Sequence, residues 1–173
     1  LQYHDRMQSE HCFELLKPHC RKVFLSNRRD QALLPGHGGF PQINDRFAGS
    51  GPLIGILSAM RTHPQAAWLV LACDLPFVDS QLIDRLIRCR DSSACATAFA
   101  TSDGKPEPLC AIYEPSSIPV LMNCLGSPDD GPRKALMNAG ARLVDLDHPA
   151  LLTNVNFAGE RDAILKSCLG RVG

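Results

Sequence analysis

Eight apolar residues, Ala66 to Cys73, run without a break and end on Asp74, with Leu75 and Pro76 directly behind. A run this short, closed by a proline, reads as a strand, because a helix could not continue past Pro76. A strand apolar on both faces belongs in the middle of a parallel sheet, covered by helices above and below. Its carboxyl end then lies at the sheet edge where open α/β folds bind their ligands. Asp74 stands at that end. Two roles are open to it: a ligand-binding carboxylate, or the cap of the turn that Asp-x-Pro starts.

The flanking sequence supplies the rest of such a fold. Ser9 to Leu16 has helical spacing, with Ser9 as N-cap and Cys12, Phe13, Leu15 and Leu16 as the apolar face, and Pro18 stops it. Val23 to Ser26 reads as a strand ending at Asn27, with Arg28 and Arg29 opening a polar connection. Leu34 to Pro41 is loop. Gln42 to Asn44 is a short strand that delivers Asp45. Gly49-Ser50-Gly51-Pro52-Leu53-Ile54-Gly55 then leads into a helix running through Met60. Free N–H groups at that helix start, with the positive end of its dipole, form a cradle suited to an anion or a nucleotide. The spacing matches neither the Walker pattern nor the dinucleotide fingerprint.

Downstream, Asp79 or Ser80 caps a helix carrying Leu82, Ile83, Leu86 and Ile87. Ala94 to Ala100 is a buried strand, joined by the polar turn Ser102–Pro108 to a strand over Leu109–Tyr113, so one of the pair runs antiparallel to the rest. Helices are expected over Ser116–Leu125 and Pro132–Ala139, an edge strand over Arg142–Leu146, and a last helix over Gly159–Leu169. Strands alternating with helices predict one domain across residues 1–173: a three-layer, doubly wound α/β fold with a mostly parallel sheet.

Eighteen basic residues balance eighteen acidic ones, which argues against a general nucleic-acid or anionic-membrane binder. The eight cysteines are scattered with no Cys-x-x-Cys pair, as expected of reduced thiols in a cytoplasmic protein. No apolar stretch approaches the ~20 residues of a transmembrane helix, and no charged-then-apolar leader opens the chain.

Asn27, Asp45 and Asp74 each close a predicted parallel strand, which places them along one rim facing the Gly51–Leu53 helix start. A carboxylate beside a phosphate-binding loop is how Mg²⁺ is usually held, together with waters and the substrate's phosphates. The six histidines are spread singly, and no Gly-x-Ser-x-Gly elbow is present. Lys105, Arg133 and Lys134 have two readings, ligands of an anion or solvated polar positions. Arg133 and Lys134 fall near a helix start, the end that disfavours cations.

In these segments the chain resembles the molybdenum cofactor guanylyltransferase family. The matching stretches are Ile43-Asn44-Asp45 through Gly51-Pro52-Leu53-Ile54-Gly55-Ile56-Leu57, then Leu71-Ala72-Cys73-Asp74-Leu75-Pro76-Phe77. Gly104-Lys105-Pro106-Glu107-Pro108-Leu109, Pro132-Arg133-Lys134-Ala135-Leu136 and Asn154-Val155-Asn156 follow in the same order. The resemblance implies a Rossmann-like nucleotidyltransferase fold and transfer of GMP from GTP to molybdopterin, with release of pyrophosphate. It implies that Asn27, Asp45 and the Gly51–Pro52–Leu53 loop contact the guanine nucleotide. Asp74 would hold Mg²⁺. Lys105, Arg133, Lys134, Asn154 and Asn156 would line the molybdopterin side, and other proteins of cofactor biosynthesis would be partners.

One departure stands out. The family opens with a strand and a glycine-rich loop ending in lysine, and none of it is present here. That strand would lie between those at Val23 and Trp68. The expectation is that the chain is N-terminally incomplete, or that the strand comes from elsewhere. Other readings are a cytidylyl- or uridylyltransferase of the same fold, and a nucleotide- or pterin-binding protein without turnover.

Overall fold

The computed structural model describes residues 7–31, 39–49, 51–126 and 131–154. The last expected helix and Asn156 fall outside these residues.

Five helices and six strands are described: α1 (Gln8–Leu16), β1 (Leu25–Asn27), β2 (Gln42–Asn44), α2 (Pro52–Thr62), β3 (Trp68–Leu71), α3 (Ser80–Arg88), β4 (Ala96–Ala100), β5 (Pro106–Tyr113), α4 (Ser117–Met122), α5 (Pro132–Asn138) and β6 (Arg142–Val144). Most lie within a residue or two of where the sequence puts them. Asp79 is the cap of α3, its Oδ1 accepting from the Leu82 N–H at 2.9 Å. Ser9 is not the cap of α1; the helix begins one residue earlier, behind Met7, with no side-chain cap.

Two sheets form. β1 and β2 pair in parallel, and the second sheet has the order β3-β5-β4-β6. β5 runs antiparallel to both β3 and β4, and β6 lies parallel to β4. Only β5 runs against the others, since β3, β4 and β6 share one direction; the sheets are thus mostly parallel with one antiparallel strand, as expected. The cause of the reversal is the Thr101–Lys105 turn, which returns the chain beside β4 instead of crossing over.

Alternation along the strands builds two cores. Phe99, Cys110 and Ile112 point to one face, where Leu82, Ile83 and Leu86 of α3 cover them with Leu16 of α1. Ala98, Ala111 and Tyr113 point to the other, against Leu57 and Met60 of α2, Leu121 of α4 and Leu136 of α5. The three-layer α/β architecture is present. Glu114, buried at the end of β5, is held by both arms of Arg90 at 2.6 and 2.9 Å, which ties the segment after α3 to the sheet.

β3 departs from expectation in one respect. Its side chains do face both cores, Leu69 and Leu71 one way and Trp68 and Val70 the other. Yet it is only half-buried throughout and lies at the end of its sheet, not in the middle. Its second flank opens onto a trough that separates it from β1.

Leu86 has no exposed surface. Leu86→Ala is expected to destabilise the fold by about 2–5 kcal/mol, the range for truncating a buried leucine. Urea unfolding of the two proteins measures it.

Candidate functional site

Parallel strands deliver their last residues to one edge, and here those residues are polar. Asn27 ends β1, buried, with its Nδ2 donating to Gln42 Oε1 at 3.0 Å. Asp45 follows β2, and its N–H donates to the Asn27 carbonyl at 3.1 Å. Asp74 follows β3 by three residues in a turn closed by the Leu75 N–H on the Ala72 carbonyl. Asn27, Asp45, Gly51, Pro52 and Cys73 all line one end of the same large cavity.

Three oxygens at or next to these strand ends are buried with no hydrogen-bond partner among the described residues: Asn27 Oδ1, Asn44 Oδ1 and Asp74 Oδ1. Of the three residues only Asn27 lines the cavity, and Asp74 lies directly behind its lining residue Cys73. Buried acceptors without donors are costly, on the order of 1–3 kcal/mol each. Polar ligand groups or a cation would relieve that cost. For Asp74 the turn-capping role is not the one seen, since a main-chain bond closes the turn and Oδ1 is left over. Cys73, directly before it, shares a hydrogen bond with Cys12 of α1. This contact raises the Cys12 thiol and lowers that of Cys73.

The start of α2 faces this rim. Gly51 precedes the helix with φ 101° and ψ 175°, a conformation essentially reserved for glycine, and Pro52 occupies the first turn. No side chain caps the helix. Pro52 carries no N–H and the Ile54 N–H donates to the Gly51 carbonyl at 3.2 Å, so the N–H groups this helix start can offer an anion are those of Gly51 and Leu53. Gly55 lets the helix sit close to the strands: a Cβ there would meet Ser26 Oγ at 2.9 Å and Asp45 Oδ1 at 3.9 Å. The Leu53 side chain is in the core, so only its main chain can serve the site.

A second cavity of about 480 Å³ lies across Pro52 and Leu109, which line both. Its walls include Thr101, Ser102, Glu107, Arg133 and Asn154. Arg133 reaches it through a 2.9 Å hydrogen bond from Nη2 to Glu107 Oε2. Glu107 is buried and its Oε1 accepts from the Leu109 N–H at 3.0 Å, so the carboxylate fixes the arginine in place. Nothing local in the Lys105-Pro106-Glu107-Pro108 motif signals this part played by Glu107, because its pairing depends on a contact 26 residues away. Lys105 is exposed on the turn before β5, 2.7 Å from Asp103, and pulls that carboxyl well below its ordinary value. Neither Lys105 nor Lys134 reaches the wall of either cavity.

The donor set at Asp74 fits Mg²⁺. This ion is commonly held through one or two carboxylates with waters and substrate phosphates supplying the rest, and Asp74 Oδ1 is a buried carboxylate oxygen with capacity to spare. No cluster of three or more His, Cys, Asp or Glu side chains that could cage a metal occurs among the described residues.

Comparison with known proteins places these features in a family. Residues 1–144 match the MobA-like NTP transferase domain. A molybdenum cofactor biosynthesis bifunctional protein from Synechocystis is 30% identical over 90% of this chain, which spans 45% of that longer protein. A molybdenum cofactor guanylyltransferase from Shewanella loihica is 23% identical over 95% of the chain and 84% of its own length. Among solved structures, molybdopterin-guanine dinucleotide biosynthesis protein A from Archaeoglobus fulgidus shares the fold, with a TM-score of 0.75 at 19% identity over 98% of this chain and 89% of its own. So does 2-C-methyl-D-erythritol 4-phosphate cytidylyltransferase from Thermus thermophilus, with a TM-score of 0.68 at 14% identity, covering 99% and 93%.

Gly51→Ala is expected to cost about 1–3 kcal/mol, because alanine must take up a glycine-only conformation. Gly131→Ala is the control: its φ is −92° and nothing lies within 4 Å of the added methyl, so its effect should stay within about 0.5 kcal/mol. Thermal unfolding of both reads the difference. Burial pushes the Asp45 carboxyl above its ordinary 3.8, with Arg28 drawing it back. A raised carboxyl is stabilising only while protonated, so the fold loses that contribution as pH rises through the folded pKa. Asp45→Asn should therefore gain on the native chain as pH increases above 3.8, in urea unfolding followed across pH.

Proposed function

The chain belongs to the MobA-like NTP transferase family, and from that premise we propose that it transfers GMP from GTP to molybdopterin, with or without molybdenum, in molybdenum cofactor biosynthesis. The observation that carries this reading is the pair of cavities meeting at Pro52 and Leu109. A group transfer needs donor and acceptor side by side, and one rim here suits a triphosphate while the other presents a fixed cation.

On the donor side, Asn27 and Asp45 face the nucleoside, and the uncapped start of α2 receives phosphate oxygens through its N–H groups. On the acceptor side, Arg133, locked by Glu107, holds an anionic group of the pterin, with Asn154 beside it. A terminal phosphate oxygen of molybdopterin attacks the α-phosphorus of GTP. The new phosphorus–oxygen bond forms as the bond to the β-phosphate bridging oxygen breaks, and pyrophosphate leaves with that electron pair. Asp74 would hold Mg²⁺, which offsets the charge on the phosphates during transfer. The main contribution of the remaining side chains is positioning, as in other phosphoryl and nucleotidyl transfers. The reaction involves no membrane, and no described helix is long and apolar enough to cross one; we place it in the cytoplasm.

Asp74→Asn removes the charge while keeping the shape. GMP transfer in the presence of Mg²⁺ is expected to fall by at least about 10²-fold, the loss typical of one electrostatic catalytic group, with the unfolding midpoint unchanged. Turnover equal to that of the native chain would exclude Asp74 as the metal ligand.

A further inference from the structure

α2 approaches β1 and β2 through two small residues, Gly55 and Ser58, which are three apart and share one face of the helix. At Gly55 the approach is close: an added Cβ would stand 2.9 Å from Ser26 Oγ and 3.9 Å from Asp45 Oδ1. The Asp45 carboxylate is therefore held over the first turns of α2. Ser58 has no exposed surface and is the one polar side chain among the buried residues of this helix. A buried hydroxyl is costly unless hydrogen-bonded, and Ser58 Oγ accepts from the Arg46 N–H at 2.9 Å.

The reason lies in where the strand ladder stops. The last register pair of β1 and β2 is Asn27 with Asn44, and the Asp45 N–H still reaches the Asn27 carbonyl at 3.1 Å. Beyond that point β1 has given way to a single 3₁₀ turn over Arg29–Gln31. The next amide, that of Arg46, has no strand opposite it and takes the serine hydroxyl instead. Phe47 then turns its ring into the second core. The covalent path from Asp45 to Gly51 runs through Gly49, whose φ is 116°, so chain connectivity alone is a loose spacer between them. The bond to Ser58 is the short tie.

We propose that Ser58 is a positioning residue for nucleotide binding: its bond to the Arg46 amide holds Asp45 at one spacing from the Gly51 and Leu53 N–H groups. The inference rests on the reading above, in which Asp45 faces the nucleoside and the start of α2 receives phosphates. A helix is a stiff spacer rising 1.5 Å per residue, so a tie at Ser58 fixes Asp45 relative to the helix start. The spacing matters in both directions. Too long, and one nucleotide cannot span both groups; too short, and the Asp45 carboxylate repels the phosphates. A nucleoside triphosphate, which touches both ends, gains from a preset spacing, whereas a fragment that touches one end gains nothing.

The test titrates the native chain, Ser58→Ala and Thr62→Ala with GTP, guanosine and tripolyphosphate, each with Mg²⁺. Binding is followed by amide NMR, which reads affinities into the millimolar range. Thr62 is the control, because its hydroxyl bonds back to the Ser58 carbonyl at 3.0 Å within α2. Ser58→Ala should bind GTP at least about fivefold more weakly, the worth of one hydrogen bond, and both fragments as the native chain does. Thr62→Ala should match the native chain with all three. In the free protein the Arg46 amide of Ser58→Ala should exchange with solvent at least about tenfold faster. Unchanged GTP affinity in Ser58→Ala, fragments weakened as much as GTP, or an unchanged Arg46 exchange rate each overturns the proposal. A native chain with no affinity for GTP overturns the nucleotide reading, and this inference with it. Should Ser58→Ala fail to fold, Ser58→Cys, which offers only a weak acceptor, is read by the same criteria.

Discussion

β5 is the strand on which the positions of all the others depend. It is hydrogen-bonded on both sides, antiparallel to β3 and to β4, and nearly all of its residues are buried. Its alternating side chains supply both cores at once, Cys110 and Ile112 to one and Ala111 and Tyr113 to the other. The same pairing sets the register of β3, and through β3 the position of Asp74. At its leading end β5 carries Glu107, which fixes Arg133. One strand therefore sets the positions of both Asp74 and Arg133, and their relation is a property of the sheet rather than of flexible loops.

The site follows from that arrangement by simple means. Strand ends bring oxygens to a rim, and the glycine-framed start of α2 brings N–H groups opposite them. Three of those oxygens have no partner among the described residues, which is a cost to the fold and an asset to ligand binding. The second cavity works differently: Arg133 is held by the buried carboxylate of Glu107, so its guanidinium is oriented in advance. Preorganisation of this kind lowers the entropy cost of binding an anion.

Much of this could be read from local pattern. The apolar run before Asp74, the Asp79 cap, the polar turn after β4 and the glycines before α2 each depend on neighbours in sequence, and each appears where expected. What could not be read depends on contacts distant along the chain. The Glu107–Arg133 pair links residues 26 apart. Lys105 looks equivalent to Arg133 in sequence, yet it turns to Asp103 within its own hairpin. The continuous apolar run suggested a strand in the middle of a parallel sheet. β3 instead has an antiparallel neighbour on one flank and a trough on the other, because side-chain pattern reports the faces of a strand and not its edges.

The account stands or falls on what the two cavities bind. Calorimetric titration of the chain with GTP, CTP and UTP in the presence of Mg²⁺, followed by addition of molybdopterin and measurement of released pyrophosphate, addresses this most directly. Selective binding of GTP and one pyrophosphate released for each GMP transferred is the predicted result. Equal affinity for CTP or UTP, or pterin binding with no affinity for any nucleotide, would contradict it.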